Sequence, residues 1–251
     1  MVATTATELY PVRSYEIDSH GRLTPAALCN YLQESAGLHA RQLGVSVEQL
    51  QAEGMTWFLW RLHVRIERLP AWTETVAVDT WPAEMGRPYA VRDFRIRAGE
   101  EEIGVATSAW LLMDLAARRP IRRVPDRIRD LHPVPPRRAL SDAFRRLPAC
   151  GGVSFEHQLS VCRADIDLNG HLNHVAAISA MLEAAPAEIV EGRQLVALEV
   201  ELKGEGHHGD ELTSRCELDA GEALRHSLSR NHDGKELARA RSWWRRDGSP
   251  G

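Results

Sequence analysis

Apolar residues recur at helical spacing from Ala26 through Leu28, Leu32, Ala36 and Leu38. Thr24 followed by Pro25 reads as an N-cap with proline in the first helical position, and Gly44 as the stop. A second such stretch follows Asn173, again a capping residue, and ends by Pro186. Val175, Ala176, Ile178, Ala180, Met181, Leu182 and Ala184 leave it almost no polar face, so it must be buried on most sides. Past each helix the period falls to two. Leu62, Val64 and Ile66 alternate with His63, Arg65 and Glu67, and Val76 and Val78 with Ala77 and Asp79. Leu224, His226 and Leu228 take alternate positions ahead of an Asp233-Gly234 hairpin turn. One buried helix followed by several antiparallel strands, twice over, predicts an α+β arrangement in which each sheet wraps a central helix.

The repetition is visible residue by residue. Glu16-Ile17-Asp18-Ser19-His20-Gly21-Arg22-Leu23 aligns with Asp165-Ile166-Asp167-Leu168-Asn169-Gly170-His171-Leu172 at an offset of 149, without a gap as far as Ala36 and Ala185. Near the end of each half, Glu102 to Trp110 aligns with Glu236 to Trp244 at an offset of 134. Two signals in the same order predict a duplicated domain, its second copy about 15 residues shorter. The expected boundaries are 1–115 and 151–251, joined by 116–150.

Composition adds limits. The joining segment holds ten arginines, three aspartates and six prolines, a formal charge of +7 in a chain of −4, which leaves −11 for the rest. Proline at that density predicts a semi-rigid crossing, either a solvated linker or a landing strip for an acidic partner. Met1 to Glu8 has no apolar run, and Val105 to Ala117 is too short and too polar to span a bilayer, so no membrane segment is expected. Cys29, Cys150, Cys162 and Cys216 are widely spaced, with no CxxC pair. That predicts neither disulfide framework nor zinc knuckle, and a cytoplasmic setting. Cys162 is expected to be a small buried side chain, and His207-His208 a polar turn.

The chemistry concentrates in the second copy. Asp167, Asn169 and His171 stand at i, i+2 and i+4, so in an extended segment all three would face one cavity. The segment leads into the buried helix, whose N–H groups and positive dipole end suit a carbonyl oxygen gaining negative charge. In the first copy Asn169 and His171 become His20 and Arg22. Glu205 lies on the next strand, where the first copy has the apolar Leu69; no such contrast marks Glu199 or Glu201. The polar apparatus belongs to one half.

On these residues the chain resembles the acyl-acyl carrier protein (acyl-ACP) thioesterases. The likeness is carried by Asp-Leu-Asn-Gly-His-Leu-Asn at 167–173, Lys-x-Glu-x3-Gly-Asp at 203–210, and Arg92-Asp93-Phe94. Ser108 to Asp114, with Arg118-Arg119-Pro120, adds to it, and the resemblance spans roughly 10–245. It implies a tandem hotdog fold, with Asp167, Asn169, His171 and Glu205 as the catalytic positions of the C-terminal half. It further implies an acyl tunnel formed largely by the first half, with Met55 and Trp57 in contact with the fatty acyl chain. An acidic acyl carrier protein would be the partner, docking on the arginine-rich segment. Two departures stand out. The family usually has a second asparagine after Asn173, where this chain has His174. Plant members carry a cysteine after the glutamate, where this chain has Gly206, so no catalytic cysteine is required.

Glu205 would then deprotonate a water, assisted by His171, with Asn169 positioning the water or the thioester. Asp167 would either orient His171 or attack directly to form a mixed anhydride. Other readings compete. A Gly-x-Ser-x-Gly elbow is missing, which argues against an α/β-hydrolase. Asp167, His171 and His174 could ligate a metal, but an activated thioester needs no Lewis acid, so neither metal nor cofactor is expected. Trp57, Trp60, Trp72, Trp81 and Trp110 fit pocket or core packing better than a nucleic-acid surface. The remaining alternatives are an acyl-CoA thioesterase, a dehydratase of 3-hydroxyacyl chains, and a non-catalytic acyl-binding protein.

Overall fold

The computed structural model describes residues 4–85, 88–131, 138–152, 155–219 and 223–246. Pro133, Pro135, Pro136 and Arg137 of the joining segment lie outside them. The chain forms two compact units, Met1–Val64 with Arg68–Phe144, and Arg65–Glu67 with Arg145–Gly251. The first contains β1 (Ala6–Pro11), α1 (Pro25–Gln42), α2 (Val47–Gln51), β2 (Met55–Ile66), β3 (Thr75–Met85), β4 (Ala90–Ala98), β5 (Glu101–Asp114), β6 (Arg119–Pro120) and α3 (Asp126–Arg129). The second contains β7 (Phe155–Ser160), a 3-10 turn (Arg163–Asp165), α4 (His174–Glu183), α5 (Ala187–Val190), β8 (Arg193–Leu202), β9 (Glu211–Leu218), β10 (Ala223–Arg230) and β11 (Glu236–Arg246).

The duplication is a structural fact. Strand order is β1-β3-β4-β5-β2 in one unit and β7-β9-β10-β11-β8 in the other, the same path through equivalent strands. Helix α1 lies against β1 and β3, and α4 against β7, β9, β10 and β11, which is the hotdog arrangement. Both helices start where the caps predict: Thr24 Oγ1 accepts from the Ala27 N–H at 3.2 Å, and Asn173 Oδ1 from that of Val175 at 2.8 Å. Ile178 and Met181 of α4 are fully buried, which stabilises the docking by about 1.5–3 kcal/mol each. Even single polar contacts repeat. Trp110 Nε1 donates to Ser108 Oγ at 2.8 Å, and Trp244 Nε1 to Ser242 Oγ at 2.9 Å. Most of the second copy's shortening falls in the helix, 18 residues in α1 against 10 in α4.

The joining segment differs from the solvated linker that its charge suggests. Ile128 is fully buried in a cluster with Val45, Leu50, Met55 and Leu112, with Ile121, Val124 and Leu131 packed against it. Phe144 packs with Trp81, Val91 and Ala109, and Leu147 is buried with its N–H on Glu201 at 2.9 Å. An apolar side chain every few residues, set among the arginines and prolines, docks the described part of the segment. Some arginines are committed as well: Arg138 Nε binds the buried Asp93 at 3.0 Å, and Arg127 pairs with Glu53. Arg118, Arg119, Arg122 and Arg123 are exposed. Cys162 also departs from expectation. It is exposed, and its neighbour Val161 takes the buried position. No helix among the described residues is long and apolar enough to cross a membrane.

Candidate active site

The segment from Asp165 to Asn173 is a tight turn, closed by an Ile166–Leu172 bridge, rather than the extended stretch that its alternation suggests. The Asp167 N–H donates to the His171 carbonyl at 2.8 Å, and that of Gly170 to the Asp167 carbonyl at 3.0 Å. Asp167 Oδ1 accepts from the backbone N–H of Asn169 at 2.8 Å and of His171 at 3.2 Å. An aspartate that binds backbone two residues on, followed by glycine at φ +79°, makes a turn of its own. Asp167 therefore holds His171 through the main chain, and Leu168 at the turn is 85 % exposed.

The first copy builds the same turn. The Asp18 N–H donates to the Arg22 carbonyl at 2.7 Å, and Gly21, at φ +76°, to the Asp18 carbonyl at 3.0 Å. Asp18 Oδ1 accepts from His20 N–H at 2.8 Å and Arg22 N–H at 3.0 Å. What differs is the side chain at the fifth position. Arg22 folds back, its Nε 3.1 Å from Asp18 Oδ2, and closes an ion pair within the turn. His171 turns outward, its Nε2 3.7 Å from Glu205 Oε2, with both side chains about one-third exposed.

Glu205 is placed by the backbone around it. Leu172 N–H donates to the Gly206 carbonyl at 2.8 Å, as Leu23 N–H does to that of Pro70, which makes Leu69 the counterpart of Glu205. A Cβ at Gly206 would sit 3.1 Å from Leu172 Cβ, so a side chain there requires Leu172 to give way. Arg230 Nη1 donates to the Glu205 carbonyl at 3.3 Å and lies 3.4 Å from Asp210 Oδ2. Asp210 in turn accepts from the His207 N–H at 2.8 Å. The His207 ring meets that of His171 edge to face, centroids 5.2 Å apart. His207 stands where the first copy has Ala71, so the same asymmetry that singles out Glu205 could have found it.

Of the residues expected to act together, the structure brings His171 and Glu205 side by side, and sets Asp167 and Asn169 in the turn that carries the histidine. His174 opens α4, and burial pushes its imidazole down to about 4 against the opposing attraction of Asp167. Val175's N–H at the start of α4 is occupied by the Asn173 cap. Met55 and Trp57 belong to the N-terminal unit. Met55 packs with Val45, Leu50, Leu112 and Ile128, and Trp57 donates its indole N–H to the Val45 carbonyl at 2.9 Å.

Two family models match the chain: the acyl-ACP thioesterase N-terminal domain over residues 4–132 and the C-terminal domain over 151–246. The chain is 28% identical to an oleoyl-acyl carrier protein thioesterase 2 of Arabidopsis thaliana, over 96% of its own length and 77% of the relative's. It is 31% identical to the oleoyl-acyl carrier protein thioesterase of Coriandrum sativum, over 82% of its own length and 61% of that relative's. Among solved structures, a 12:0-ACP thioesterase from Umbellularia californica superposes with a TM-score of 0.86. That match has 24% identity and covers 97% of this chain and 98% of the other, a likeness of fold.

Proposed function

The chain belongs to the acyl-ACP thioesterase family, and from that premise we propose that it hydrolyses a fatty acyl-ACP to free fatty acid and holo-ACP. The observation that carries the reading is the His171–Glu205 pair at 3.7 Å, present in one copy of a turn that both copies build. Glu205 and His171 together take the proton from a water that attacks the thioester carbon, and the imidazolium returns it to the leaving thiol. Asn169 positions the water or the thioester. Backbone N–H groups at the start of α4 other than Val175's stabilise the oxyanion.

Asp167 has a humbler part. Asp18 performs the same backbone bonding in the copy without the pair, so the turn alone accounts for an aspartate at this position. This favours the water route over a mixed anhydride, because one Asp167 oxygen is already held by two N–H donors. Oxygen-18 from solvent appearing in Asp167 during a single turnover would reverse that preference.

Met55 and Trp57 contact the acyl chain in this reading, and Trp57→Ala should move the preferred chain length. Arg118, Arg119, Arg122 and Arg123, exposed residues of the basic segment, receive the acidic carrier protein. The test is fatty-acid release from a chain-length panel of acyl-ACPs and the matching acyl-CoAs. Hydrolysis confined to carrier-protein substrates supports the proposal. Preference for CoA esters keeps the chemistry and removes the docking role of the arginines.

A further inference from the structure

His171, Glu205 and His207 each present one donor atom, and the three atoms lie within 4.8 Å of one another. Two imidazoles and a carboxylate are the donor set that borderline divalent ions such as Zn2+ prefer. Ligands about 2.1 Å from a tetrahedral ion stand about 3.4 Å apart, and His171 Nε2 is already 3.7 Å from Glu205 Oε2. The backbones behind the donors are pinned. The His171 N–H binds Asp167, the Glu205 carbonyl accepts from Arg230, and the His207 N–H binds Asp210. Closing on an ion therefore needs small side-chain rotations and no movement of the main chain. The nearby cation is answered, since Arg230 pairs with Asp210 at 3.4 Å and Asp233 at 2.7 Å. At the equivalent positions the first copy offers Arg22, Leu69 and Ala71, which supply no ligand.

We propose that this trio is a binding site for a zinc-class divalent ion, and that its occupancy switches the hydrolase off. The ion would take the Nε2 of His171 and an oxygen of Glu205, the same atoms the proposed mechanism uses to accept a proton. The inhibitory half rests on that mechanism; the binding half does not. Catalysis itself uses no metal, so chelation preserves activity or raises it.

The test is a titration of the full chain with Co2+, whose tetrahedral complexes absorb visible light, followed by displacement with Zn2+. Losing groups that merely support a ligand costs about 10–100-fold in metal affinity, so His207→Ala should cost at least about tenfold. His208→Ala and His232→Ala should bind as wild type, although His232 lies 3.9 Å from Asp210. With the chelator present, His207→Ala should hydrolyse acyl-ACP near the wild-type rate, and it should tolerate Zn2+ that stops the wild type. Absence of saturable binding by the wild type, or undiminished binding by His207→Ala, overturns the site, as does loss of binding in His232→Ala. Stoichiometric binding that needs His207, in a protein without hydrolase activity, would uphold the site and sink the proposed function instead.

Discussion

The turn at Asp18–Arg22 and the turn at Asp167–His171 share a backbone and differ in what they present. Each aspartate satisfies two main-chain N–H groups, each glycine has positive φ, and each turn passes its next N–H to a carbonyl of the strand connection. Arginine at the fifth position spends its charge on the aspartate of its own turn, whereas histidine reaches across to a glutamate. Shared features explain folding, and unshared ones are where chemistry should be sought. By that criterion His171 and Glu205 stand out for catalysis and His207 for the proposed ion site, and Asp167 recedes.

Substitutions in either copy test this contrast, and their expected effects differ in size. The largest effect is expected at Glu205→Gln, which should lower kcat/KM by about 10^2–10^4-fold, the usual worth of a positioned acid–base group. The side chain is about one-third exposed, so thermal stability should hardly change; an unaltered rate would return Glu205 to the ordinary polar residues.

A second effect concerns how the stability of the C-terminal unit depends on pH. His226 of β10 is fully buried, its Nδ1 2.8 Å from the Met181 carbonyl and its Nε2 2.8 Å from Ser242 Oγ. Burial pushes this imidazole from 6.5 down to about 4. The unfolded chain then binds the extra proton throughout that window, so stability is fully present above 6.5 and falls as pH drops toward 4. The loss is roughly 3 kcal/mol at most. Urea midpoints across this range should fall for wild type and fall less steeply for His226→Asn, which retains the like contribution of His174.

Next come the aspartates themselves. Asp18→Ala and Asp167→Ala each strand two N–H groups, and each should cost about 1–3 kcal/mol by denaturant unfolding. Asn in either place keeps an acceptor oxygen and should cost less. Asp18→Ala also gives up the Arg22 ion pair, worth at most about 1 kcal/mol, and an inequality beyond that would mean that the turn backbones are not equivalent. The smallest effect concerns Thr73 and its counterpart Gly209, at φ +75° and +84°. Gly209→Thr should cost about 1–2 kcal/mol for a β-branched residue in left-handed backbone, while Thr73→Gly should be neutral or mildly stabilising.

Much of the architecture was legible because it was written twice. The caps at Thr24 and Asn173, the Trp110 and Trp244 pair, and the match of Leu69 with Glu205 all reappear as equivalent hydrogen bonds. Alternation misled at residues 167–171, where Asp167 and Gly170 are turn formers and outweigh a period of two. The basic segment misled through its charge, since Ile128, Phe144 and Leu147 decide where it packs. His207 reads as part of a polar turn in the sequence, although its replacement by Ala71 carries the same signal as Leu69 for Glu205. The packing around Gly206 had no signal in one sequence, because only the folded chain brings Leu172 to it.

The central claim is that one of two like turns performs the chemistry, and it is tested most directly by a matched pair. His171→Ala and Arg22→Ala remove the same position from each copy, and their kcat/KM values on one acyl-ACP can be measured beside wild type. The first should fall by about 10^2–10^4-fold and the second by less than about threefold. Comparable losses in both, or a loss confined to Arg22→Ala, would contradict that claim.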